Sequence, residues 1–174
     1  MKWIDSNLLH SLTQRAKDTP RKRMNYNLHP TPDDTVQRLF NAIEPDTYIR
    51  PHRHSDPMSF EVFLMLRGSA VMLFFNDEGC VLERKLLSAD GETIGVEIPA
   101  NTWHAMASLE PGTIFFEVKQ GPYIQPSGQN VAVWAPEEGN PEAAKFVEWY
   151  RHAKTGDAPL KTWHPNLGRP EGNP

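Results

Sequence analysis

Four side chains in this sequence have the types and spacing of a metal centre. His52 and His54 flank Arg53. If that stretch is extended, side chains two apart share a face, so both imidazoles project to one side. With strands closed into a barrel that side can be the interior, where two neutral imidazoles are an unusual filling unless something satisfies their ring nitrogens, and a metal ion does so. Glu61 falls in the apolar run from Met58 to Leu66, where an ionised carboxylate is costly unless paired or coordinating. His104 follows Pro99-Ala100-Asn101 at the start of a later strand candidate, from which it could reach the same interior. Two or three imidazoles and a carboxylate, with positions left open, suit iron, manganese, nickel, copper or zinc without selecting among them. A His-x-His pair alone is a weak signal. The competing readings are a fold that kept these residues without the ion, and a Glu61 that only hydrogen-bonds one of the histidines.

Other groups are placed by the same alternation. Tyr48 and Arg50 share the parity of His52 and His54 and are expected to face the cavity, where Arg50 could hold a carboxylate or phosphate by a bidentate contact or close a salt bridge at its mouth. Asn25, Asn27 and His29 alternate ahead of the strand-rich region, either reaching over its open end or forming a turn network. Phe63, Met65, Met72, Phe74, Met106 and Phe116 read as core. His10, His152 and His164 lack partners at ligand spacing, and Cys80 has no adjacent base, so nucleophilic catalysis is disfavoured.

These side chains need a scaffold, and the sequence supplies its punctuation. Residues 4–17 place Ile4, Leu8, Leu12 and Ala16 four apart behind a capping candidate at Asp5 or Ser6, predicting an amphipathic helix. Met24 to Leu28 is a short strand candidate. Further candidates cover 36–43, 47–54, 59–66, 69–75, 80–87, 93–98, 103–109 and 113–119, most of them separated by turn residues such as Asn76-Asp77-Glu78-Gly79 and Glu110-Pro111-Gly112. Asn140-Pro141-Glu142 opens a second helix with Ala143, Phe146, Val147 and Tyr150 as its stripe, ended by Gly156. The Pro- and Gly-rich tail from Asp157 is extended unless Trp163 docks it. Many short strands without intervening helices imply an antiparallel sandwich or barrel, and about eight of them is the jelly-roll number, so a mainly β, single-domain jelly-roll β-barrel with an N-terminal and a C-terminal helix is expected. The expected parts are a helix and lead-in over 1–35, a barrel over 36–125, and a helix and tail over 126–174.

Bulk properties narrow the partners. A chain of 174 residues accommodates one domain with a proper core. Its net charge of -4 provides no broad electropositive field for nucleic acid or anionic lipid, and the cluster Arg21-Lys22-Arg23 is short enough to be a solvated loop. With Cys80 as the single cysteine, neither an intramolecular disulfide nor a thiolate cage can form. The first ten residues fit neither a signal peptide nor an anchor, and no later run is long enough for a membrane helix, so a cytoplasmic protein is expected.

The stretch PHRHSDPMSFEVFLMLRG resembles the first cupin motif through His52, His54, Glu61 and Gly68, and IPANTWHAM resembles the second through Pro99 and His104. The departures are a longer interval between His54 and Glu61, Asn101 in place of a glycine, Asp46 where the first motif often begins with glycine, and Ser108 where the second often ends with asparagine. Asn tolerates positive φ, which makes the Asn101 change mild. A closer resemblance, over roughly residues 1–125, is to the WbuC-like cupin metalloproteins of bacterial O-antigen clusters. It is carried by RKRMNYNLH (21–29), the stretch from Thr35 to Pro45, and Tyr48 to His54. It implies a metal-binding cupin with a link to surface polysaccharide, and cupins commonly pair as homodimers.

Residues and resemblance together lead to an expected metal-dependent enzyme of isomerase or oxygenase type, acting on a small polar or sugar-derived substrate. A non-catalytic binding or sensing cupin is the rival, separable by whether an open metal position faces a polar cavity. Metal-free epimerisation by a His and Tyr pair is the third reading.

Overall fold

The computed structural model describes residues 1–56 and 59–161; Met58, Trp163, His164 and most of the tail lie outside them. Helix α1 (Ser6–Asp18) starts where Asp5 accepts a hydrogen bond from the Leu8 amide at 2.9 Å, satisfying a donor that the first turn leaves free. Ile4 precedes the helix and is exposed, so the buried stripe begins later and runs through Leu12, Thr13 and Ala16.

Eight strands follow: β1 (Arg23–Asn27), β2 (Val36–Ile43), β3 (Phe60–Arg67), β4 (Ser69–Phe75), β5 (Val81–Ser88), β6 (Gly95–Pro99), β7 (Trp103–Ser108) and β8 (Thr113–Gln120). They form two antiparallel sheets, one ordered β1-β2-β8-β3-β6 and the other β5-β4-β7. The mainly β, two-helix reading holds, and in place of a closed barrel the strands form two sheets that share no ladder hydrogen bonds among the described residues. Alternation sends Ile43, Phe63, Met65 and Phe115 of the first sheet and Met72 and Met106 of the second into one shared core.

Each outer face has its own helix. Leu12 and Ala16 of α1 pack on Phe40, Ala42 and Ile114. The second helix, α2 (Ala143–His152), buries Ala143, Phe146, Val147 and Tyr150 against Val71, Leu73, Phe75 and Ala105. It ends at Ala153, ahead of Gly156. Among the described residues, no helix is long and apolar enough to cross a membrane.

The expected strand over 47–54 is the other correction. Only His52 makes β-bridges there, to His104 on one side and Val131 on the other. Pro51 lacks an amide hydrogen and interrupts the ladder. The stretch still runs beside β7: His52 N–H donates to His104 O at 3.1 Å, and His104 N–H to His52 O at 3.0 Å. With it counted next to β7, the order of the two sheets is that of a jelly roll.

Since Phe146 is fully buried in the core under α2, Phe146→Ala should cost about 3–5 kcal/mol of unfolding free energy in urea. Leu82→Ala on exposed β5 should stay within about 0.5 kcal/mol. Equal losses for the two would contradict this packing.

Candidate metal centre

Glu61 and His104 are brought together from opposite sheets. Glu61 points inward from β3 and retains 2% exposure, and His104 points inward from β7 and retains 3%. His52 and His54 arrive from the irregular segment pinned to β7. Asn101 fastens its end: in the turn before β7 it has φ 62, and its amide donates to His54 O at 2.8 Å. The left-handed conformation expected where asparagine replaces glycine is thus present, and it orients that amide.

His52, His54, Glu61 and His104 each offer a ligand atom, and these atoms lie within 4.8 Å of one another. His54 Nε2 is 3.1 Å from Glu61 Oε1, and His104 Nε2 is 3.0 Å from Glu61 Oε2. Despite that closeness, His54 Nε2, His104 Nε2 and Glu61 Oε2 are buried without a hydrogen-bond partner. For His52 and His104 the Nδ1 contacts set the tautomer. His52 Nδ1 lies 3.0 Å from Arg50 O and His104 Nδ1 2.8 Å from Thr102 O. A carbonyl only accepts, so each Nδ1 carries the proton and each Nε2 presents a lone pair. Lone pairs from imidazoles and carboxylate then converge on one small volume, which is the donor arrangement of a site that could hold a cation.

The electrostatics agree. Burial pushes the His52 pKa down to about 3, helped by neighbouring His104 and partly opposed by Glu61. As a residue His52 keeps some exposure, but its ring is enclosed. Burial raises the Glu61 carboxyl, yet hydrogen bonds from His104 and His54, which need a proton on Nε2 that a bound cation would displace, together with Lys119 outweigh burial and hold it well below the usual carboxylate range.

Lys119 is the functional residue that sequence reasoning missed. Its ammonium lies 3.2 Å from Glu61 Oε1 and 2.6 Å from Glu117 Oε1. Burial lowers its pKa, and the two carboxylates more than reverse this, so it stays protonated. Burial raises Glu117, which also accepts from Asn41 Nδ2 at 2.7 Å. The signal was available. Along β8, Glu117 and Lys119 share the parity of buried Phe115, placing two charges on a core-facing edge.

Tyr48 does not join the site. It is buried in the core under α2, stacked on Tyr150, with its hydroxyl donating to Pro136 O at 2.8 Å. Ile49 borders the inter-sheet core instead, so strict alternation slips between Tyr48 and His52, around Pro51. Arg50 does line the cleft with His52 and His54. Its Nε and Nη2 donate to Ala132 O at 3.1 and 2.7 Å, and its Nη1 is 3.9 Å from Glu137.

Residues 4–87 match the family model of a domain of unknown function, DUF6016, which is just under half of the chain. No curated protein matches the sequence. Similar solved structures include KdgF from Halomonas sp., at 18% identity over 71% of this chain and 90% of that one, with a TM-score of 0.46. A cupin superfamily protein from Desulfitobacterium hafniense is 16% identical over 63% of this chain and 86% of its own, with a TM-score of 0.47. A point mutant of Bacillus subtilis oxalate decarboxylase is 16% identical over 59% of this chain and 26% of its own, with a TM-score of 0.45.

The histidine electrostatics predict how metal-stripped protein responds to acid. Unfolded His52 takes up a proton near its ordinary value of 6.5, whereas the folded imidazole resists until about 3, so stability falls as pH drops through that window. Glu61, depressed in the fold, loses its stabilising contribution in the same direction. In chelator, urea unfolding should show a loss on the order of 1–2 kcal/mol between pH 7 and 5, and His52→Ala should flatten it. Stability that rises toward pH 5 would contradict the assignment.

Proposed function

We propose that this protein is a metal-binding cupin, a metal-dependent enzyme of isomerase or oxygenase type whose substrate is a small polar or sugar-derived molecule. The observation that carries the reading is the convergence of ligand atoms from four residues within 4.8 Å of one another, with His54 Nε2, His104 Nε2 and Glu61 Oε2 buried and without a hydrogen-bond partner. His52, His54 and His104 through Nε2, with a Glu61 oxygen, would hold one divalent transition metal, which supplies Lewis acidity toward substrate oxygens or, as iron, redox chemistry with dioxygen.

The chain's own residues do the rest. Arg50 and Thr102 carbonyls keep the imidazole nitrogens in the ligating tautomer. With His104 and His54, Lys119 favours the ionised form of Glu61, to which its ammonium donates. The Arg50 guanidinium, anchored on Ala132 O, stands at the mouth of the cleft where an anionic group would enter. A role in surface polysaccharide (O-antigen) metabolism is supported by the likeness of residues 21–29, 35–45 and 48–54 to the WbuC-like cupins.

Elemental analysis of freshly purified protein tests the reading. About one transition-metal ion per chain is expected in the native protein, and a loss of about ten-fold or more in metal affinity in the His52→Ala, His54→Ala double variant, which circular dichroism should show to be folded. Equal metal content in both would defeat the assignment.

A further inference from the structure

We infer that the cleft in front of the metal centre is built for a polyhydroxylated anion, a sugar acid or sugar phosphate, whose hydroxyls lie on Asn25, Asn27 and Asn41 and whose charge meets Arg21, Arg23 and Arg50. This rests on the metal-site reading above and narrows its substrate.

The inner face of the five-stranded sheet changes character along its width. Toward β3 and β6 it carries Phe63, Met65 and Ile98, which fill the core. Toward β1 and β2 the in-register pair Asn25 and Asn41 continues that face, with Asn27 one step along β1 opposite Leu39. These amides border a recess of about 380 Å³ that also reaches Glu117 and Lys119. A second recess of about 470 Å³ contains His52, His54 and the arginines. Arg21, Arg23, Lys119 and Tyr123 line both, so the two are parts of one cleft leading to the metal centre.

The amides are already oriented. Asn25 Nδ2 donates to Asn27 Oδ1 at 2.7 Å, and Asn41 Nδ2 to Glu117 Oε2 at 2.7 Å. Asn25 Oδ1, Asn27 Nδ2 and Asn41 Oδ1 make no hydrogen bond among the described residues, leaving acceptor, donor and acceptor on one surface. Hydroxyl groups, which both donate and accept, match that set. A bare inorganic anion would meet amide oxygens it cannot use, and an apolar ligand would strip water from all three.

The arginines add the charge. Arg21 and Arg23 both bond Glu138, and Arg23 also donates to Tyr48 O at 2.6 Å. Arg50 is fixed on Ala132 O, with highly exposed Glu137 at 3.9 Å. Arg21 and Arg23 thus share one carboxylate, and Arg50 has only a distant, exposed one, so three guanidiniums are fixed at the cleft with donor groups held in place before any ligand arrives. Lys119 adds none, being bracketed by Glu61 and Glu117.

Calorimetric titration of the full-length, metal-loaded protein with D-glucuronate, D-glucose 6-phosphate, D-glucose, acetate and inorganic phosphate tests this. At least one of the two sugar anions should bind about ten-fold or more tightly than glucose, acetate or inorganic phosphate, and which one does so identifies the anionic group as carboxylate or phosphate. The variant Asn25→Ala, Asn27→Ala, on an edge strand, should weaken that binding about ten-fold while metal content stays unchanged. Sugar anions no tighter than acetate or inorganic phosphate, or a double variant that binds like the native protein, would overturn the inference. Full metal content without sugar-anion binding overturns it alone, whereas sugar-anion binding by protein that takes up no metal supports it and removes the metal reading instead.

Discussion

The reciprocal backbone hydrogen bonds between His52 and His104 hold this site together. They join an irregular, proline-interrupted segment to the edge of β7, and in doing so bring two imidazoles with ring centroids 4.5 Å apart into the space between the sheets. Everything further in depends on that tether. His54 is close enough to Glu61 only because Asn101, in its left-handed turn, holds the next stretch of the same segment. Without β7 as a template, residues 50–54 would have no partner to define which way the two rings point.

A buried carboxylate gives the tether its chemical consequence. Glu61 is surrounded by two imidazoles and the Lys119 ammonium, yet the imidazole contacts lack hydrogen-bond alignment. The carbonyls that accept from Nδ1 of His52 and His104 leave the Nε2 of each ring for a cation entering among the ligand atoms. Lys119 is paired a second time by Glu117, which Asn41 holds in turn. This chain of contacts runs from the candidate metal site across β8 to β2 and makes the polar half of the inner sheet face continuous with it.

That division of the inner face also separates stability from function. Phe63, Met65, Met72, Met106 and Phe115 fill the space between the sheets on one side of Glu61, and the amides and arginines border an open cleft on the other. A pocket that gives up apolar contacts must be supported elsewhere. Two outer cores, beneath α1 and α2, supply that support by covering faces that neither sheet could bury alone.

Local pattern in the sequence determined seven of the strands nearly to the residue, both helices, and the set of candidate ligands, because alternation, turn residues and capping act over a few neighbours. Reading across a proline was less secure. Alternation correctly paired His52 with His54, but carried back to Tyr48 it failed, since the chain slips phase around Pro51 and sends Tyr48 to the core under α2. Only tertiary structure decided that the sheets stay separate, that His104 meets Glu61, and that Lys119 stands between two carboxylates. Those contacts join residues far apart along the chain, and their distances depend on how two sheets pack, which no local spacing encodes.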